Sequence, residues 1–428
     1  MAHIAVIGAG ITGITTAYSL LDHGHTVTVF DRHRYAAMET SFANGGQLSV
    51  SNAEVWNHPA TLVKGIKWLF RRDAPLLLNL KPSWHKYSWL AEFVAQIPRY
   101  RDNTIATVRL ALAARRALFD MAEREGIAFD LERRGILHIY RDRAGFEHAR
   151  DVNALLQAGG LERRAVSDAE IKALEPTIHG DFYGGFYTPS DATGDIHLFT
   201  RGLAAACVRR GARFVHDAAV ERVGASDAGV RLRWRSAEAP ADVPEESAAD
   251  AVVVCAGVAS RRFAAMLGDR VNIYPVKGYS ITVGLDDEAS RAAAPRVSLL
   301  DDEAKIVTSR LGDRLRVAGT AEINGFNWDI RDDRVRPLVE WTRRLFPDVA
   351  TERVVPWAGM RPMTPSMLPR VGAGRRPRVF YNTGHGHLGW TLSAATAGLV
   401  AEAVDAGLRA AAPTPTRLRA GTMLGHAR

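Results

Sequence analysis

The sequence predicts an α/β protein: a discontinuous Rossmann-type domain combined with an α+β domain built on an antiparallel sheet. Three observations carry this reading. The chain opens with a strand, a glycine-rich turn, a helix and a second strand, "HIAVIGAGITGITTAYSLLDHGHTVTVFDR". Much later, "DAVVVCAG" and "PRVFYNTG" each form an apolar strand that ends on small residues, as expected of strands buried on both faces. Between them lie alternating segments, among them "NIYPVKGYSITV" and the pair "KIVTSR"/"LRVAGTAEI" around Gly312-Asp313, which read as antiparallel strands.

With 428 residues the chain is long enough for about two domains. The strand patterns place residues 1–50, 195–265 and 355–410 in the first domain. Residues 51–194 and 266–354 form the second, and 411–428 are a tail. Thr104 to Gly126 reads as a charged amphipathic helix, "AVERVGASDAGVRLRW" as a small meander, and Glu238 to Ser247 as a Pro/Ala/Glu loop. Hydrophobic residues make up 47% and charged residues 24%, the mix of an ordinary globular protein and not of a disordered one. Cys207 and Cys255 are the only cysteines, too few for a disulfide framework and compatible with a reducing cytoplasm. The net charge of +8 comes from scattered Lys and Arg without a block, which argues against nucleic acid as a partner. No run of 18 apolar residues would make a membrane span. One stretch, residues 60–80 ("ATLVKGIKWLFRRDAPLLLNL"), mixes aromatic and basic residues and could lie on an anionic membrane surface.

The opening motif points to a dinucleotide. Gly8 permits the tight turn, Gly10 lets a pyrophosphate approach the backbone, and Gly13 lets the helix pack close to the strand. The helix N-terminus offers unpaired N–H groups to phosphate. Asp31, at the end of the second strand, can accept the ribose diol. The motif alone does not decide between NAD and FAD. A nucleotide domain entered three times, with a sheet-based cap, is a flavoprotein arrangement, and an NAD enzyme would leave "ETSFANGGQLS" and "NTGHGHLGWT" unexplained.

"ETSFANGGQLS" places Thr40 and Ser41 where their hydroxyls could donate to a pyrophosphate or ribityl chain. It also brings bare backbone from Asn44, Gly45, Gly46 and Gln47 against a flat ring. In "NTGHGHLGWT" two histidines are one residue apart, yet no further ligand lies nearby, so a metal site is not expected. The stretch serves better as a helix start whose positive end faces a flavin where negative charge gathers on reduction. His385 is then structural, and His387 borders the ring or the substrate. Arg361, in "WAGMRPMTP", is set among Trp357, Met360 and Pro362. A planar, permanently charged fork there would hold a carboxylate. Tyr279, and less directly Tyr274, could donate a phenol to the same carboxylate or pack in the core. Lys277 lies near the flavin or in solvent.

Taken in order, "VIGAGITGITTAYSL", "ETSFANGGQLS", "GIKWLFRRDAPL", "TGDIHLFTRGLA", "YPVKGYSIT", "WAGMRPMTP" and "NTGHGHLGWT" resemble the D-amino acid dehydrogenase family. That family belongs to the FAD-dependent amine oxidoreductases related to D-amino acid oxidase and glycine oxidase. Ser366 departs from the acidic residue expected after "RPMTP". The resemblance implies non-covalent FAD between the two domains and oxidative deamination of a small D-amino acid such as D-alanine, with hydride passing from Cα to flavin N5. It further implies transfer of electrons to a membrane quinone or another respiratory acceptor, from a cytoplasmic protein peripheral to the inner face of the plasma membrane. A related enzyme acting on D-proline, hydroxyproline, glycine or N-methyl amino acids is the alternative. The expected cofactor contacts are Ile7, Gly8, Ala9, Gly10, Ile11, Thr12, Gly13, Asp31, Arg32, Thr40, Ser41, Asn44, Gly45, Gly46, Gln47 and Leu48. Val220, Ala256, Gly257, Gly384, Gly386, His387, Leu388 and Gly389 complete that set. Arg361, Tyr279 and His387 are the expected catalytic group.

Overall fold

The computed structural model describes residues 1–61, 65, 75–236 and 244–411. Two sheets organise them. The first has six strands, in the order Arg370–Ala373, Val379–Thr383, Ala251–Val254, β1 (His3–Ile7), β2 (Thr26–Phe30) and Arg213–Val215. Neighbours run parallel except at the Arg370–Ala373 edge, which is antiparallel. Alternation along the strands feeds two cores. Ile4, Val6, Val27, Val29 and Val253 face a helical layer that includes α1 (Ile11–Asp22), Ile196–Arg209 and Gly389–Ala411. Ala5, Ile7, Phe30, Val252 and Val254 face a three-stranded meander, Ala218–Ser226, Gly229–Ser236 and Glu245–Ala249. Burial on both faces is why these strands are apolar throughout.

The second sheet has nine strands. Along its path run Val354–Met363, Tyr274–Gly284, Arg314–Ile323, Ile306–Leu311, Ser298–Asp301, Ile136–Tyr140, Gly184–Thr188 and Arg164–Val166, while Leu76–Leu78 pairs with Arg314–Ile323. Most pairs are antiparallel, but Ser298–Asp301 runs parallel to Ile136–Tyr140, and Leu76–Leu78 runs parallel to its partner. Helix Asp332–Leu345 covers one face with Leu338, Trp341 and Leu345.

Three sequence expectations change here. The domain boundary at 355 falls inside the second sheet, because Val354–Met363 pairs along its whole length with Tyr274–Gly284. An isolated extended segment does not reveal which sheet it will join, so Arg361 was assigned to the wrong side. Glu245–Ser247 belong to a strand and not to a loop, since Glu245–Ala249 pairs with Trp234–Val230. The helix expected from Thr104 begins at Tyr100 and runs to Glu125, closing on Gly126 in the left-handed conformation at φ +62°. Its buried residues Leu118, Met121 and Ala122 join the core of the first sheet, so the two layers are interlocked. Of the proposed membrane-facing stretch 60–80, residues 62–64 and 66–74 lie outside the described residues, as does the tail from 412. Among the described residues no helix is long and apolar enough to cross a membrane.

Candidate active site

The turn after β1 is shaped by close approach. Gly8 has φ +108°, and a Cβ there would lie 2.6 Å from the Cys255 carbonyl oxygen. A Cβ on Gly13 would lie 1.8 Å from the Gly8 carbonyl oxygen, so α1 can seat against the strand only with glycine at that position. Gly10 caps α1 without a side-chain hydrogen bond, leaving the N-terminal turn open. The Asp31 carboxylate accepts the Ala9 N–H at 2.6 Å and the His33 N–H at 2.9 Å. Ser41 Oγ accepts the Ile11 N–H at 2.9 Å, tying the second glycine-rich loop to the helix start.

These elements open onto a cavity of about 640 Å³ that runs between the two sheets. On its wall stand Ile7, Gly8, Gly10, Ile11, Thr12, Asp31, Arg32, Thr40, Ser41, Asn44, Gly45 and Gln47. Val220, Ala256, Gly257, Gly384, Gly386, His387, Leu388, Gly389, Tyr279 and Arg361 line it too. Four of the expected contacts stand back from it. Ala9 and Leu48 are buried in the core of the first sheet. Gly13 is taken up by the Gly8 contact. Gly46, at φ +71°, is pressed against the Ser309 Cβ, its N–H bound to Asn44 Oδ1 at 2.9 Å. Thr40 also differs from expectation: its hydroxyl donates to the Met360 carbonyl at 3.0 Å, fastening the loop to the second sheet, so its proton is already engaged.

The other end of the cavity is built on strand register. Gly278 pairs with Gly359, Val276 with Arg361 and Ser280 with Trp357, so Arg361, Gly359 and Trp357 share a face with Gly278 and Ser280. The two glycines form a floor. A Cβ on Gly278 would lie 2.4 Å from Arg361 Cζ, and one on Gly359 would lie 2.2 Å from the Trp357 ring. Arg361 Nη1 is buried and has no hydrogen-bond partner. Burial pushes this guanidinium down to about 10, with no anion at hand to offset the lost solvation.

Tyr279 does not join it. Odd-numbered residues of Tyr274–Gly284 point away from Arg361, and the Tyr279 hydroxyl donates to the Asp329 carbonyl at 3.3 Å. Burial, reinforced by Glu322, holds that phenol well above its usual range, so it is a fixed structural donor. Lys277 is neither beside a cofactor nor in solvent. It is fully buried and held by Glu322 at 2.8 Å, Asn327 Oδ1 at 2.9 Å and the Asp329 carbonyl at 2.8 Å. Tyr274 accepts the Gly325 N–H at 3.0 Å.

The histidine pair divides its work. His385 Nε2 meets the Thr396 hydroxyl at 2.9 Å inside the protein, and burial pushes its pKa down to about 3. His387 Nε2 donates to the Asn52 carbonyl at 3.2 Å, its ring stacked on Trp56 at 5.0 Å between centroids. Burial first, then the nearby Arg361 charge, hold His387 down to about 4, so it is neutral at ordinary pH. With the proton on Nε2, its Nδ1 carries a lone pair, and that buried atom has no partner.

Residues missed in the sequence also line the cavity: Asn52, Glu54, Trp56 and His58 from one loop, His148, and the exposed pair Phe326 and Trp328. Only the polar–aromatic alternation of "NAEVWNH" hinted at the first four, and it carries no periodic signal that fixes direction.

The chain matches the family described as DAO, FAD dependent oxidoreductase, over residues 3–403. It is 63% identical over 421 residues to "D-amino acid dehydrogenase 3" of Mesorhizobium japonicum, covering 98% of this chain and all of that protein. It is 43% identical to a D-amino acid dehydrogenase of Paramagnetospirillum magneticum, over 94% of both chains. Glycine oxidase from Geobacillus kaustophilus shares the fold at a TM-score of 0.71 and 21% identity, with 95% of both chains covered. L-proline dehydrogenase from P. horikoshii does so at 0.71 and 15%, covering 95% of this chain and 94% of that one. The cavity's own features fit FAD: an uncapped helix start, a carboxylate at the end of β2, and a long slot whose two ends belong to different sheets. The chain therefore belongs to the DAO family of FAD-dependent oxidoreductases.

Proposed function

We propose that this protein oxidises D-amino acids to 2-oxo acids and ammonia. The observation that carries the reading is Arg361, a buried guanidinium with an unpartnered Nη1 on the wall of a cofactor-sized cavity. A buried, uncompensated cation costs stability, and a substrate carboxylate would offset that cost while being oriented by the fork. Its relatives' names supply the substrate class.

The FAD-binding contacts proposed are the wall residues of the opening turn, of the loop Thr40–Gln47, of Val220 and Ala256–Gly257, and of Gly384–Gly389. Asp31 would hold the ribose, and the open N-terminus of α1 the pyrophosphate. FAD bound there supplies the two-electron acceptor for the Cα hydride. Arg361 binds the α-carboxylate, and His387 Nδ1 accepts a hydrogen bond from the α-amine. Holding both groups fixes which face of Cα is presented and makes the transfer nearly unimolecular. His387 stays neutral, so it orients the amine while the ammonium proton leaves to water. Loss of hydride and proton gives an imino acid, and water then releases ammonia and the 2-oxo acid.

Electrons would pass to a membrane quinone, from a position on the cytoplasmic face. Exposed Leu80, on a loop, and Trp84, at the start of helix Trp84–Ala95, lie near Phe326 and Trp328 of another loop, the two loops joined by the Asn79–Asn324 side-chain bond beside the cavity. These apolar side chains support an approach to lipid there.

One anaerobic titration tests the whole reading. The visible flavin bands of the holoenzyme should bleach with D-alanine and not with L-alanine, and a soluble quinone analogue should restore them faster than air. Bleaching by L-alanine, or by cyclic or N-methyl amino acids alone, would replace the substrate assignment. Faster recovery in air would replace the acceptor.

A further inference from the structure

The cavity that Arg361 lines also carries a carboxylate. Glu54 lies on the loop before Trp56, its side chain 31% exposed and lining the cavity. Its Oε1 accepts the Tyr100 hydroxyl at 2.6 Å, and His148 Nε2 stands 4.0 Å away. Burial, then the Glu54 charge, raise the Tyr100 phenol far above its usual range, so the bond is a fixed donation to Glu54. Among the described residues no Lys or Arg pairs with Glu54, and Oε2 has no hydrogen-bond partner. On the same wall Lys305 Nζ binds Asp302 at 2.6 Å. Aromatic surfaces flank the carboxylate. Trp56 stacks on His387, and His58 meets the Tyr100 ring edge-on at 4.9 Å.

We propose that Glu54 receives a cationic side chain of the substrate, so that basic D-amino acids such as D-lysine and D-arginine are the preferred class. This deepens the amino acid reading above and rests on it. The cavity then holds Arg361, whose Nη1 has no partner, and Glu54, which no Lys or Arg pairs among the described residues, the complement of an α-carboxylate and a distal ammonium or guanidinium. A carboxylate oxygen beside indole and imidazole faces suits such a cation through charge-assisted hydrogen bonding and cation–π attraction. A site built to bind a polar group discriminates strongly against an analogue that lacks it, because its own polar atoms are then left without a partner.

The test compares D-lysine with D-norleucine, which has the same straight chain without the ammonium. In the wild-type holoenzyme kcat/KM for D-lysine should exceed that for D-norleucine at least tenfold. In Glu54→Gln the ratio should collapse toward one, the change appearing mainly in KM for D-lysine. A wild-type ratio at or below one overturns the proposal without need of any variant. So does a Glu54→Gln enzyme in which both substrates fall by the same factor, the mark of a purely structural Tyr100–Glu54 contact. Turnover of D-norleucine and D-alanine with no lysine advantage sinks only this inference, whereas no turnover of any D-amino acid overturns both readings.

Discussion

Arg361 carries most of the proposed substrate binding, and its unpartnered, buried Nη1 makes it easy to probe. Arg361→Lys keeps a charge but loses the planar fork. It should lower kcat/KM for D-amino acids by roughly 10²–10³-fold, as truncation of a buried charge partner commonly does. The flavin spectrum should remain that of the wild type, and steady-state assays beside a spectrum check both. The residue was legible because an arginine set among Trp357, Met360 and Pro362 is unusual. Tyr279 was not legible, because its orientation depends on which strand it pairs with and in what register. Sequence places Tyr279 in a strand, but only the pairing of Val276 with Arg361 turns the phenol away. Glu54 escaped for a related reason: in an irregular loop nothing in the pattern distinguishes a cavity-facing carboxylate from a solvated one.

Two glycines separate what individual elements contribute. Gly13→Ala would drive its Cβ into the Gly8 carbonyl and push α1 off β1, so the purified protein should lose its flavin and much of its stability. Gly278→Ala meets the Arg361 guanidinium instead, 2.4 Å from Cζ. That variant should keep its flavin and melt near the wild type, yet resemble the Arg361 variant in kcat/KM. Absorbance at the flavin maximum, thermal melts and initial rates distinguish the two. The β1–α1–β2 unit was readable in full since its signals are local: apolar strand, glycine turn, helix, acid. Strand Val354–Met363 was not readable, as a strand or as a member of the second sheet, because its partner lies some eighty residues earlier. Non-local pairing leaves no mark on the strand itself.

Across the whole molecule, buried imidazoles set how stability responds to acid. His385 is held at about 3 and His387 at about 4 by burial, against about 6.5 in an unfolded chain. Between those limits the unfolded state binds more protons, so the contribution of each is full above pH 6.5 and is lost as pH falls toward the folded value. Denaturant midpoints of the holoenzyme should therefore decline from about pH 6.5 to 4, and His385→Gln should flatten that slope. An unchanged slope in the variant would remove His385 from the account. The threefold return of the chain to the first sheet was visible in the order of the strand patterns. The interlocking through Tyr100–Glu125 was not, since its charged face suggested a helix in solvent and its buried residues lie between the charges.

The helix Gly389–Ala411 is the last described element, yet its first turn forms a cavity wall and its body packs beside α1. During synthesis the turn after β1 is made long before Gly389–Ala411, so its cavity cannot close until that helix has followed. Closure of the cavity therefore waits on this helix, and a chain stopped before residue 389 would have the glycine turn without that wall. On the proposed contacts, loading with FAD would report that translation has passed residue 389.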